Sequence, residues 1–178
     1  SKFMRFGARL PLTAQGDMNL YALFAETNRQ LVNRDGRAGF IVPSGIVSDD
    51  GTKEFFGDLV TERQLASVFD FENRDKLFPA VDSRMKFSLM TLSGRPVEQT
   101  DFVFFAHRTE DLNDPQRRFS LTPEEIARFN PNTRTMPIFR TKIDAELNKK
   151  IYSRLPILIN EQTGENPWQI QFRQGLFN

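Results

Sequence analysis

The chain has no cysteine, and its 178 residues include a single histidine, His107. Without cysteine it forms no disulfide and holds no metal through thiolates, which is weakly typical of a cytosolic protein. A histidine-based zinc site or a serine–histidine–aspartate triad would depend on that one side chain. No apolar run reaches the roughly 18 residues that a membrane-spanning helix requires. The sequence therefore predicts a cytoplasmic protein with no membrane partner.

An excess of positive charge is also missing. Lys and Arg number 24 against 23 Asp and Glu, which gives a net charge of +1. Surfaces that bind duplex DNA usually show a clear basic excess, so charge alone does not predict a nucleic-acid partner. Local pairs such as Arg117–Arg118 and Lys149–Lys150 are interpreted as solvated faces.

The hydrophobic pattern alternates between helical and extended segments. Spacings of three and four residues predict a first helix, for which Asp17 is a plausible N-cap. The short apolar run at 38–43 predicts a strand that is buried on both faces. Thr52 is predicted to cap a second helix that ends near Arg63, and 65–72 is the next strand. The two strands with the helix between them form a βαβ unit, which predicts that they run parallel.

A third strand is predicted at 86–92 and a fourth at 101–107. The polar loop before the third strand is too short for a parallel crossover, so this strand must run antiparallel, and we expect it between the first two. Short helices follow from Thr122 and over 142–153. In the last helix the apolar residues Ile143, Leu147 and Ile151 recur on one face, which is predicted to be buried. Phenylalanine is unusually common, with 18 residues, and most are predicted to lie in the core.

Three stretches of this pattern occur in an order that matches a known family. They are 19–24 (NLYALF), 36–44 (GRAGFIVPS), and Leu77-Phe78-Pro79 followed by the strand from Lys86. They resemble, in turn, the helix after the catalytic motif, the fifth strand, and the target-base loop with the final antiparallel strand. The family is that of the class I S-adenosylmethionine-dependent methyltransferases. More narrowly, the chain resembles the adenine-N6 DNA methyltransferases of type IIG and related restriction-modification and phage-defence systems.

The resemblance implies two regions. Residues 1–94 would be the C-terminal half of a doubly wound, Rossmann-like α/β catalytic domain, whose sheet ends in an antiparallel strand. Residues 95–178 would be a mixed α/β linker or extension that leads to a target-recognition region. The family's glycine-containing cofactor motif and its Asn/Asp-Pro-Pro-aromatic catalytic motif are missing from the sequence. Asn166-Pro167-Trp168 lacks the second proline and a preceding strand. The chain is therefore expected to be a fragment that is inactive alone and holds no catalytic residue.

The resemblance also assigns contact residues. Leu20, Tyr21 and Phe24 would line the adenine end of the cofactor pocket, although they also fit the apolar stripe of an ordinary amphipathic helix. Phe78 would stack on a flipped adenine, and Pro79 would stiffen the loop. Base–aromatic stacking contributes roughly 1–3 kcal/mol. The alternative for Phe78 is a loop aromatic that folds onto the core.

Two cations and several carboxylates flank this loop. Arg84 and Lys86 are candidates for contacts with DNA phosphate, although loop cations are usually only solvated. Asp70 and Glu72 alternate with phenylalanines and are interpreted as the polar side of an amphipathic strand end, so no metal site is predicted. His107 is interpreted as structural, with no evident partner.

For the whole protein, the resemblance implies direct methyl transfer from S-adenosylmethionine to adenine N6 in double-stranded DNA. The isolated chain is expected not to bind the cofactor. It is also expected to self-associate through the uncovered edge at 38–43, unless residues 1–16 or 101–107 fold over that edge. The alternatives are a noncatalytic α/β module that binds nucleic acid or another subunit, and an α/β scaffold without a ligand.

Overall fold

The protein is built around one mixed β-sheet. The computed structural model describes residues 9–16, 18–173 and 175. The α-helices in this part of the chain are α1 (Leu20–Leu31), α2 (Gly45–Ser48), α3 (Lys53–Thr61), α4 (Pro123–Phe129) and α5 (Lys142–Arg154). The strands are β1 (Arg37–Pro43), β2 (Leu65–Glu72), β3 (Lys86–Ser93), β4 (Thr100–Ala106) and β5 (Phe119–Leu121). They form a sheet in the order β1-β3-β2-β4-β5.

The predicted strand order is confirmed. β3 lies between β1 and β2 and is antiparallel to both. β1 and β2 therefore run in the same direction, and β4 is parallel to β2. As a result, the carboxyl ends of β1, β2 and β4 meet at one edge of the sheet, together with the start of β3. We call this the carboxyl edge; its backbone comprises Pro43–Ser44, Glu72–Asn73, Lys86–Phe87 and Ala106–His107.

The sheet is larger than the sequence predicted. β4 pairs with β2, and the short strand β5, which was not predicted, pairs antiparallel with β4. β5 has only three residues, too few for an alternating pattern to be visible in the sequence. β3 is thus not the end of the sheet, although it is the antiparallel strand expected. The division of the chain at residue 94 stays a prediction.

Phenylalanines fill much of the core, as their number predicted. Phe55 and Phe56 of α3 are fully buried against the sheet. At the end of the sheet formed by β4 and β5, Phe102 stacks on Phe119 with ring centroids 5.7 Å apart. Phe129 of α4 meets Phe139 edge-on at 5.2 Å. These contacts connect β4 and β5 to the following helices in the same apolar cluster that covers β1 to β3.

Two predictions of burial were wrong. In β1 only Val42 is buried, and Ile41 is 55 % exposed, because β1 is an edge strand with no helix over that face among the described residues. In α5 the stripe of Ile143, Leu147 and Ile151 faces solvent, with Ile143 77 % exposed. The helix instead packs through its other side, where Ala145 is fully buried.

Helix termini follow the sequence in part. α4 starts at Thr122 as predicted, and Thr122 caps it, since its hydroxyl accepts from the N–H of Glu125. Thr52 stands at the start of α3 but does not cap it; its hydroxyl donates to the carbonyl of Gly45 over 2.8 Å. Asn19 occupies the N-cap position of α1 without a side-chain hydrogen bond. The predicted cap Asp17 lies outside the described residues.

Candidate functional site

The loop between β2 and β3 is organised by one buried side chain. Asn73 follows β2 directly and is completely shielded from solvent. Its Nδ2 donates to the carbonyl oxygens of Phe78 and Val81 over 2.9 and 3.0 Å. Its Oδ1 accepts from the N–H of Phe78 over 2.9 Å, while its own N–H donates to the carbonyl of Met85. The loop at 73–85 therefore has a fixed backbone although most of its side chains are exposed.

The aromatic ring that this loop presents is that of Phe78. The side chain is 40 % exposed, and its ring stands edge-on to Phe87 of β3, with centroids 5.0 Å apart and an interplanar angle of 77°. Phe87 in turn stacks on Phe71 of β2 at 5.3 Å. Pro79 is exposed beside it. The ring thus rests on the core with one edge and is otherwise exposed to solvent, and base stacking by Phe78 stays a prediction.

Asp70 is a buried carboxylate at the same edge, not the polar side of an amphipathic strand. It is 1 % exposed and accepts hydrogen bonds from the hydroxyls of Ser44 and Ser88. The backbone N–H of Phe105 also donates to it. One side chain of β2 therefore connects the end of β1, the middle of β3 and the end of β4. Burial raises the pKa of Asp70, and the hydrogen bonds oppose that shift without cancelling it.

Three basic side chains lie close to the carboxylate of Glu72 at the end of β2. Its carboxylate lies 2.8 Å from Nε of Arg74, 3.3 Å from Nζ of Lys86 and 3.4 Å from Nε2 of His107. The Arg74 hydrogen bond, helped by Lys86 and His107 against partial burial, lowers the pKa of Glu72 to about 2. His107 thus has a partner, contrary to the prediction. The sequence could not show this, since the two residues are 35 positions apart.

The two predicted phosphate ligands differ in their surroundings. Arg84 is exposed and bound to both carboxylate oxygens of Asp82 at 3.1 Å. The guanidinium of Arg84 is therefore paired with a carboxylate of the same loop. Lys86 is shared between Glu72 and the ring of Phe105, whose centroid lies 4.9 Å from Nζ. Lys86 therefore sits on the carboxyl edge, whereas Arg84 lies on the loop above it.

The predicted cofactor residues do not share one environment. Leu20 and Phe24 are 70 % and 65 % exposed and form an open apolar strip on α1. Tyr21 is half-buried and packs against the main core. Burial raises the pKa of the Tyr21 hydroxyl, and Asp49 adds to the shift. The core face of α1 is made by Ala22, Leu23 and Ala25 instead.

Other site types find no support in the described part of the chain. No group of three or more His, Asp or Glu side chains there is placed to hold a metal ion. None of the helices described is long and apolar enough to span a membrane.

Comparison with known proteins relates the first part of the chain to a family. Residues 5–78 match the sequence model of the Eco57I restriction-modification methylase family. This stretch therefore belongs to a restriction-modification methylase domain. It runs from the segment before α1 through β1 and β2 to Phe78, so it ends on the residue that the loop presents. No curated protein matches the chain in sequence.

Solved restriction-modification proteins share the fold. The type IIG restriction endonuclease BpuSI is 22 % identical, with a TM-score of 0.51 over 70 % of this chain and 16 % of its own. A type I methyltransferase subunit from Streptococcus thermophilus is 14 % identical, with a TM-score of 0.54 over 77 % of this chain and 35 % of its own. A type I restriction-modification system gives 12 % identity and a TM-score of 0.53, covering 72 % and 34 %. The chain thus spans at most about a third of the length of these proteins. At such identities the likeness establishes the fold.

Sequence reasoning missed four residues that shape the carboxyl edge. Asn73 looked like one polar residue in a polar loop, although an Asn directly after a strand is a common loop organiser. Ser44 and Ser88 gave no signal, because their shared partner Asp70 is distant in sequence. Phe105, whose ring contacts Lys86, was predicted only as a strand residue and not as part of a site.

Proposed function

We propose that the full-length protein is a site-specific DNA methyltransferase that moves a methyl group from S-adenosylmethionine to adenine N6. It would act in the cytoplasm, in a restriction-modification or phage-defence system. One observation carries the proposal. In a segment of a restriction-modification methylase domain, Phe78 presents an exposed ring on a rigid loop at the carboxyl edge. In open α/β sheets, ligands bind in the crevice beyond the carboxyl ends of the strands.

Phe78 suits the handling of a flipped base. An enzyme that modifies the amino group of adenine must take the base out of the duplex and hold it in a pocket. A ring supported edge-on by Phe87 and fixed in its backbone by Asn73 offers a stacking surface that needs little ordering when the base arrives. Pro79 restricts the next residue further. Stacking there would contribute roughly 1–3 kcal/mol.

The cofactor would supply an activated methyl group when bound. Leu20 and Phe24 provide exposed apolar surface for its adenine, and Tyr21 lies between them in sequence on α1. The chain lacks the glycine motif and the acidic residue that grip the cofactor in the family. We therefore expect residues 1–94 to be part of the catalytic domain and residues 95–178 to lead toward a target-recognition region. The chain alone should bind no S-adenosylmethionine in calorimetry, and binding at micromolar concentration would place the pocket elsewhere.

The duplex would meet the protein along the carboxyl edge. Lys86 and Arg84 flank the Phe78 loop and would contact backbone phosphates, which position the duplex without reading its sequence. Arg84 would have to leave or share Asp82 to do so, because both its bonded nitrogens face that carboxylate. Lys86 would likewise have to share Glu72, while its other neighbour is an aromatic ring that leaves its charge in place.

The proposal is tested by methylation of DNA with labelled S-adenosylmethionine, followed by detection of N6-methyladenine. Full-length wild type, Phe78→Ala and the control Phe172→Ala are compared, since Phe172 is also an exposed phenylalanine but lies in the C-terminal segment. We expect Phe78→Ala to lower methylation and the 2-aminopurine flipping signal at the target, with cofactor affinity nearly unchanged. If Phe78→Ala matches Phe172→Ala in both readouts, Phe78 only packs. DNA binding without any methylation would favour the noncatalytic module.

A further inference from the structure

Phe105 has an unusual backbone for a bulky residue. Its φ is +58°, in the left-handed region, which non-glycine residues with large side chains rarely adopt. The cause is a bulge in the parallel pair β2–β4: Phe69 pairs with Val103 and Phe71 with Ala106. Two residues of β4 thus stand opposite the single residue Asp70. Bulges of this kind re-aim a side chain, and strained backbone persists only where its surroundings support it.

Asp70 is the support. Its buried carboxylate accepts the N–H of Phe105 along with the hydroxyls of Ser44 and Ser88. Arg117 holds the other side of the same residue, because its Nη1 donates to the carbonyl of Phe105 over 3.0 Å. The backbone of Phe105 is therefore fixed on both sides of its ring. The ring is half-buried, while the residues before and after it are fully buried.

Two cations lie over this ring. The guanidinium carbon of Arg140 is 4.5 Å from the centroid, and Nζ of Lys86 is 4.9 Å from it. In the part of the chain that the structure describes, Arg140 makes this contact and no ion pair. Arg140 is also exposed, just before α5. An aromatic face orients a cation without neutralising it, so the charge of Arg140 remains available to an external anion.

We propose that Phe105, Lys86 and Arg140 form a platform that binds the phosphodiester backbone of duplex DNA beside the Phe78 loop. The inference rests on the proposed function for its choice of DNA as the anion. A guanidinium matches phosphate oxygens with paired donors, and its orientation over the ring leaves less freedom to lose on binding. Lys86 connects the platform to the Phe78 loop, since it is the first residue of β3, the strand that follows this loop. Arg140 then joins Lys86 as a phosphate ligand, and unlike Arg84 it makes no ion pair among the described residues.

The test is the salt dependence of DNA binding by the full-length protein. Affinity for a fluorescent duplex is measured by anisotropy between about 0.05 and 0.3 M salt for wild type, Arg140→Gln, Arg140→Lys and Arg34→Gln. Arg34 is an exposed arginine in the turn before β1, at the opposite edge of the sheet, and serves as the matched control. Each lost phosphate contact lowers the slope of log K against log salt by about 0.9.

We expect Arg140→Gln to weaken binding several-fold and to lower the slope by about 0.9, whereas Arg140→Lys keeps the slope and Arg34→Gln changes neither. Unfolding temperatures equal to wild type show that the variants are folded. If Arg140→Gln and Arg34→Gln give the same slope as wild type, the platform is wrong, whatever the methylation result. If the slope falls as expected while the protein methylates no DNA, the platform holds and the methyltransferase assignment fails.

Discussion

Asn73 and Phe78 are joined by two hydrogen bonds through one side chain. Nδ2 of Asn73 donates to the carbonyl of Phe78, and Oδ1 accepts the N–H of the same residue, each over 2.9 Å. The side-chain amide of Asn73 bonds the backbone of Phe78 as a neighbouring strand would. It thereby fixes the position of Phe78, the only aromatic residue of the loop at 73–85. Since Asn73 is fully buried at the end of β2, the ring position is set by the sheet and not by the loop.

Replacing Asn73 by Ala should loosen the loop and leave the sheet in place. The change removes one acceptor and a donor group that bonds several carbonyls, at roughly 1 kcal/mol for each hydrogen bond. We expect the peptide covering 73–85 to exchange its amide hydrogens at least ten times faster, while peptides from β2 and β3 keep their protection. Hydrogen exchange with mass spectrometry measures this. Asn73→Asp keeps the acceptor and loses the donor, so its exchange should be intermediate; equal protection in all three proteins would contradict the role of Asn73.

The sequence predicted β1 to β4, and the antiparallel position of β3 between β1 and β2, because loop lengths and apolar runs are local signals. A resemblance to a family also made Phe78 and Lys86 candidates for contacts with DNA, and helix α1 a candidate for contacts with the cofactor. The sequence did not predict that Asp70 is buried. A carboxylate between two phenylalanines has the alternating pattern of a strand whose polar side faces solvent. The hydroxyls and the N–H that make burial acceptable come from Ser44, Ser88 and Phe105, on three other segments.

Asp70→Ala should therefore destabilise the chain by about 2–4 kcal/mol, because it leaves several buried donors without an acceptor. Asp70→Asn keeps an acceptor oxygen and is expected to lose no more than about 1 kcal/mol. Urea unfolding of the chain at neutral pH compares them. Because burial raises the pKa of Asp70, its charged form weakens folding, and wild type regains that stability as pH falls through this pKa. Asp70→Asn should lack this gain; a larger loss for Asn than for Ala would overturn the arrangement.

The effect of pH on stability through Glu72 should be opposite to that through Asp70, because the charged form of Glu72 stabilises the fold. Its pKa is lowered to about 2 in the fold by Arg74, Lys86 and His107, so its contribution is fully present above its ordinary pKa near 4.5. That contribution declines as pH falls below this ordinary value and is lost as pH passes through about 2. Because Arg74 and Lys86 are largely exposed, we expect only about 1 kcal/mol in total.

Glu72→Gln measures that contribution. Its urea midpoint should lie below that of wild type at neutral pH and converge with it near pH 2, at moderate salt. Glu98→Gln, an exposed carboxylate in the loop before β4, serves as the control and should follow wild type throughout. A gap between Glu72→Gln and wild type that stays constant down to pH 2 would show that the side chain packs and that its charge is irrelevant.

The isolated chain should self-associate through β1. Among the described strands β1 pairs only with β3, and Ile41 is 55 % exposed on this edge strand. The expectation that 101–107 folds over that edge was wrong, because β4 lies between β2 and β5. Residues 9–16 instead dock on α1, where buried Glu26 accepts the hydroxyl and N–H of Thr13, and residues 1–8 lie outside the described part. An uncovered apolar strand edge is a template for pairing with another chain.

Sedimentation at micromolar concentration tests this, with Ile41→Lys as the variant and Ile143→Lys as its control. Both residues are exposed isoleucines, but Ile143 belongs to the apolar stripe of α5. A lysine at position 41 puts charge on the free edge of β1, where a second strand would have to pair, so we expect Ile41→Lys to be monomeric. Ile143→Lys should associate as wild type does, since it leaves that edge unchanged. Association lost only in Ile143→Lys would move the interface to α5. A wild-type chain that stays monomeric, with the β1 edge open to solvent, would refute association altogether.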